Sequence, residues 1–155
     1  MSPLDARVAM LIAELERDWH QVKTQLVEAQ SVEPSRNKPE AALVALSLDH
    51  AYQAFESLLL RLENALGLPP RANAEWHTRL LEDAMMPIAN VRPSVYPATA
   101  ASDWNHLLRF RHFLRHAYGA PLDAGRLATN RDRLASAVAA TDSYLLALLN
   151  ALGRD

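Results

Sequence analysis

The sequence contains no cysteine, which excludes disulfides, iron–sulfur clusters, thiolate zinc sites and cysteine nucleophiles. It has 4 glycines in 155 residues, well below the usual ~7%, and few β-branched residues, so little in it favours a sheet. No run approaches the ~20 apolar residues of a membrane span. The opening MSPLDARVAM has no basic stretch leading into an apolar one, so no signal peptide is expected and the expected compartment is the cytoplasm. A formal net charge of −2 offers no cationic excess for a generic nucleic-acid coat. What is present is leucine and alanine in abundance, with 50% hydrophobic and 22% charged residues. Chains of this length bury roughly 68–70% of their unfolded surface. The expectation is one all-α domain spanning residues 1–155.

Apolar spacing predicts the helices. Leu4, Val8, Leu11, Leu15, Trp19, Val22 and Leu26 recur at steps of three and four, giving one stripe over about residues 4–29. The polar SVEPSRNKP is a connector. Pro39 suits a first helical turn, where a missing N–H costs nothing. From there Ala41, Ala45, Leu48, Tyr52, Phe55, Leu59, Leu62 and Leu66 form a heptad-like seam. Gly67 and Pro69-Pro70 end that helix. A short helix is predicted over 73–85 with Asn73 as N-cap, then a proline-marked loop over 87–101. Ser102 and Asp103 are candidate caps for a helix to Tyr118, stopped by Gly119 and Pro121. Asp123 opens the last helix, with Leu127, Leu134, Val138, Leu145, Leu148 and Leu152 along one side. The architecture expected is an antiparallel bundle of four to five helices.

Charge is unevenly distributed along this bundle. Between Trp104 and Leu122 there is no Asp or Glu, while Arg109, Arg111 and Arg115 are joined by His106, His112 and His116. That stretch carries +3 with histidines neutral, so the remainder carries −5. On a helical wheel, Leu107, Phe110, Phe113, Leu114 and Ala117 form the buried face. His112, His116 and Arg109 lie opposite, and Arg111 and Tyr118 share a stripe at the core's edge. Such a face can be plainly solvated. It can also hold a metal through His112 and His116, which are four apart. A third ligand would have to come from His106, Glu56 or Asp103, no HExxH-type base is present, and cationic Arg115 opposes a dication. The third reading is metal-free phosphate chemistry. Cleaving RNA through its own 2′-hydroxyl needs a group that exchanges protons near neutral pH, which histidine supplies. It also needs a fixed cation for the charge building on phosphorus, which arginine supplies.

RHFLRHAY, Arg111 to Tyr118, resembles the Arg-x4-His motif with a following x-Tyr of HEPN-domain ribonucleases. It is most similar to the HepT-like toxins that are paired with a small nucleotidyltransferase (MNT-type) antitoxin. The flanking LLRFRHFLRHAYG, the second-helix DHAYQAFESLLLRLENALG and the later WHTRLL also look like that family, so the resemblance covers most of residues 45–125. Many relatives carry Asn directly after the motif arginine, whereas here it is His112.

The resemblance implies the toxin of a type VII-like toxin–antitoxin pair, a metal-independent endoribonuclease with no cofactor that leaves a 2′,3′-cyclic phosphate. It implies a homodimer whose motif helices meet across a two-fold axis. This matters because Arg111 and His116 are about 140° apart around one helix and are not expected to converge within a single chain. His116 would move protons and Arg111 would stabilise the phosphate, supported by His112, Arg115 and Glu56, the last orienting the histidine or arginine from the second helix. Tyr118 is the position to which such antitoxins transfer AMP, adding negative charge and bulk to a cationic cleft. The alternatives are a catalytically silent HEPN module that binds a nucleotide or a nucleotidyltransferase, and a purely structural helical adaptor. Among other residues, His50 and Ser57 could line the cleft. Trp76-His77 is expected to close one end of the bundle, Trp by burial and His by hydrogen bonding, and Trp19, Trp104, Met85 and Met86 are core or interface fillers. Arg71 and His77 are read as a chance version of the motif.

Overall fold

Local capping chemistry sets where each helix begins. The computed structural model describes residues 2–117 and 119–153. Helix α1 (Pro3–Gln30) starts on a capping box in which Asp5 N–H donates to Ser2 Oγ and Ser2 N–H donates to Asp5 Oδ2. Helix α2 (Lys38–Ala65) is capped by Asn37, whose Oδ1 accepts from Glu40 N–H at 2.9 Å, and Pro39 sits in its first turn. A short α3 (Trp76–Met85) and a 3₁₀ turn (Ala98–Ala100) lead into α4 (Ala101–His116). Asp123 caps α5 (Ala124–Leu152) by accepting from Gly125 and Arg126 N–H.

Two caps differ from expectation. Asn73 is not the N-cap of α3. The helix begins later, at Trp76, whose N–H is taken by the Asn73 carbonyl rather than by its side chain. Ser102 and Asp103 lie inside the first turn of α4, because the 3₁₀ turn before it already supplies helical backbone and makes a capping side chain unnecessary. Gly119 follows α4 with φ +78, a left-handed conformation that side chains with a Cβ resist. Gly67 does the same after α2 with φ +76.

The four long helices run antiparallel in sequence order. Arg61, late in α2, pairs with Glu14 and Asp18 in the first half of α1. Arg131, early in α5, donates to the carbonyls of Ala29 and Val32 at the end of α1. Each stripe points at a common core. From α1 come Leu15, Trp19 and Val22; from α2, nearly the whole predicted seam; from α5, Leu127, Leu134, Val138, Leu145 and Leu148. Phe55 is the aromatic centre. It stacks on Trp104 with centroids 3.8 Å apart and packs against Trp19 and Tyr96. The buried indole N–H groups are satisfied, Trp104 by Thr141 and Trp19 by Asp142. Met85 is half-buried and Met86 is exposed, so Met86 is not a core filler in this chain.

Helix α3 and the following loop close the bundle beside α4. Arg71 ties them to α2 through Glu63 and Asp83. Arg92 is buried and donates to the carbonyls of Asp83, Met86 and Pro93. One sequence expectation is revised. By length and composition α5 is apolar enough to cross a membrane, although Asp142 and scattered hydroxyls and amides interrupt its apolar run. Its leucine side is buried in the bundle.

Candidate functional site

Helix α4 leaves the core gradually. Trp104, Leu107 and Phe110 are fully buried, whereas Phe113, Leu114 and Ala117 are half-buried and Arg109, His112, Arg115 and His116 are exposed. The wheel reading is thus right in direction but overstates burial in the last turns.

Arg111 lies on the flank of α4 that faces α2, and its side chain is 12% exposed. Two α2 carboxylates hold it: Glu56 Oε1 lies 3.4 Å from Nη1 and Asp49 Oδ1 lies 3.2 Å from Nε. The Asp49 contact is an ion pair rather than a directed hydrogen bond, since neither atom has an aligned hydrogen-bond partner among the described residues. Asp49 and Glu56 are seven apart, two turns along one face of α2, so both can reach a guanidinium crossing that face. Tyr52 lies between them, fully buried. Burial and the adjacent Glu56 carboxylate push its phenol well above the ordinary range, and nearby Arg111 only partly offsets this.

Glu56 makes a second contact. Its Oε2 accepts the Nδ1–H of His77, on α3, at 2.8 Å. One buried carboxylate therefore joins three helices, fixing the motif arginine on one side and an imidazole on the other. Trp76 lies against the His77 ring with centroids 3.6 Å apart.

These side chains border a cleft of about 270 Å³ lined by His77, Leu108, Arg111, His112, Arg115 and His116. The His112 and His116 rings are stacked, centroids 4.2 Å apart at 20°. His116 Nδ1 lies 3.0 Å from the His112 carbonyl. A carbonyl can only accept, so Nδ1 carries the hydrogen and Nε2 is the atom left to exchange a proton. Contrary to the expectation from helix angles, Arg111 and His116 reach the same cleft within one chain.

Other expected residues fall elsewhere. His50 and Ser57 line a separate polar groove against α1 with Asp18 and Arg61. His106 Nδ1 is engaged by the Ser102 carbonyl at 2.7 Å. Tyr118 lies outside the described residues. Among the described residues, no three His, Asp or Glu side chains gather as a metal-holding group. Sequence reasoning missed Asp49 and did not pair His77 with Glu56. The seven-residue spacing of Asp49 and Glu56 on one helix face was a visible sign of the first, whereas nothing local announces the second.

A family model described as HepT-like protein matches residues 43–152, a span that includes α3, α4 and all the cleft residues. A search of curated proteins gave no match, and neither did a search of solved structures.

Proposed function

Because the chain belongs to the HepT-like family of HEPN-domain proteins, we propose that it is a metal-independent endoribonuclease toxin of a type VII-like toxin–antitoxin pair. The observation that carries this reading is the small cleft that carboxylate-held Arg111 and His116 both line, together with Arg115. A guanidinium clamped by Asp49 and Glu56 is already oriented before substrate arrives, so it needs no reorganisation as charge builds on phosphorus. Arg115 and Arg109 extend positive charge along the exposed side of α4, where a phosphodiester strand can be drawn in. His116 moves the proton of the 2′-hydroxyl or of the leaving oxygen. The product is a 2′,3′-cyclic phosphate.

The rest of the proposal extends what the family resemblance implies to this chain. The protein acts in the cytoplasm as a homodimer and its substrate is RNA. A nucleotidyltransferase antitoxin silences it by transferring AMP to Tyr118. That residue follows the motif histidine by two, where an added phosphate would oppose substrate by charge and by bulk.

The test is cleavage of an unstructured oligoribonucleotide in EDTA by the wild type, His116→Ala and Arg111→Lys. The lysine variant keeps the charge that Asp49 and Glu56 require but removes the planar fork. We expect the wild type to cut and each variant to be slower by at least about 100-fold. Equal cutting by all three overturns the reading.

A further inference from the structure

His77, paired with Glu56, has no part in the Arg111/His116 chemistry described above, yet its ring lines the same cleft. We propose that His77 is a second proton-transferring residue of the site, working with His116 on the scissile phosphodiester; this rests on the ribonuclease reading above. Attack by the 2′-hydroxyl forms the O2′–P bond and breaks the P–O5′ bond. One proton must leave O2′ while another reaches O5′ on the far side of phosphorus, which calls for two imidazoles. A homodimer could bring a second His116, but His77 already lines the cleft of the same chain. One imidazole takes the O2′ proton on Nε2 and the other gives its Nε2 proton to O5′. Exchange with water then restores both rings, so atoms and charge balance with no further reactant.

His77 is built for such a role. Donation from Nδ1 to Glu56 at 2.8 Å leaves Nε2 as the exchanging atom, as the His112 carbonyl does for His116. The carboxylate behind it is itself buried, with its side chain 8% exposed, while the His77 side chain is 40% exposed and accessible from the cleft. Contact with Trp76 restricts the ring from another side. The charged and titratable groups around it are Glu56 from α2 and, from α4 bordering the same cleft, Arg111, His112, Arg115 and His116. Because Glu56 also holds Arg111, one carboxylate sets the cation and this imidazole in register.

The test compares wild type, His77→Asn and His116→Ala on an oligoribonucleotide, following kcat/KM from pH 5 to 9. The asparagine amide can still donate to Glu56 from near the Nδ1 position but cannot exchange protons. His77→Gln, whose amide lies nearer the Nε2 position, provides a second variant. We expect His77→Asn to unfold at the wild-type temperature, and both His77 variants to lose about 100-fold or more in kcat/KM and to lose one limb of the pH profile. Activity within about threefold of wild type, or a slower reaction whose profile keeps its wild-type shape, overturns the role of His77 and leaves the ribonuclease reading standing. A wild type that does not cut, or a His116→Ala that cuts as well, overturns the ribonuclease reading instead.

Discussion

Arg111 on α4 and Glu56 on α2 meet at 3.4 Å, Nη1 to Oε1, with side chains 12% and 8% exposed. The motif arginine is therefore part of the buried structure as well as of the cleft. Its removal leaves Asp49 and Glu56 as two carboxylates without their cation.

That arrangement separates stability from catalysis at one position. Arg111→Ala is expected to destabilise the fold by about 3–5 kcal/mol, the usual cost of stranding a buried charge. Adding Asp49→Asn and Glu56→Gln removes the stranded charge and should recover most of the loss, without restoring cleavage. Urea unfolding of the single and triple variants measures this. An Arg111→Ala protein as stable as wild type would show that the carboxylates are solvated.

The buried phenols give the chain an alkaline limit. Burial, with a smaller contribution from Glu82, pushes Tyr96 up to about 12, and Tyr52 is raised further by burial and Glu56. A phenol raised in the folded state stabilises it fully below the ordinary value of about 10, and that contribution is lost as pH climbs from 10 through 12. Phenolate absorbance of these two residues should therefore appear above about pH 12 or together with loss of helical circular dichroism. Smooth ionisation of all the tyrosines near pH 10, with the helices intact, contradicts this.

The cationic surface is small and should behave so. If Arg109, Arg111 and Arg115 are the phosphate contacts, RNA affinity should fall with salt at a log–log slope of about −2. Fluorescence anisotropy with the His116→Ala protein gives the slope without cleavage. A slope steeper than about −5 would mean an extended binding face outside the cleft.

Regulation is tested by mass. The chain co-expressed with a nucleotidyltransferase partner should gain one or more AMP units on Tyr118 and lose cleavage, and Tyr118→Phe should gain none and cleave as before. An unmodified chain from an active co-expression removes Tyr118 as the regulated position.

The helices were legible because their apolar stripes are local. In α2, Ala41, Ala45, Leu48, Tyr52, Phe55, Leu59 and Leu62 read as one seam and are all buried. The acid-free stretch pointed to α4, which borders the candidate cleft, for the same reason. What spacing did not carry was pairing between helices. His77 hydrogen-bonds as expected of a residue closing one end of the bundle, but spacing did not name its partner, Glu56, 21 positions earlier. Arg111 and His116 are divergent by helix angle and yet line one cleft, because the angle between helix positions ignores side-chain length. Asn73 had the right chemistry for a cap, but its backbone carbonyl, not its side chain, met the first turn of α3. The net charge of −2 averaged an acidic body with one basic helix, so it spoke against a coat and not against a local cationic cleft.

The central claim is that this cleft cleaves RNA through the 2′-hydroxyl, and the chemistry of the new ends tests it most directly. Wild-type protein should cut an oligoribonucleotide in EDTA to give 2′,3′-cyclic phosphate and 5′-hydroxyl ends by mass spectrometry. The same oligonucleotide with a single 2′-deoxy sugar at the cut site should stay intact there. Ends bearing 3′-hydroxyl and 5′-phosphate, or cleavage at the deoxy position, would contradict it.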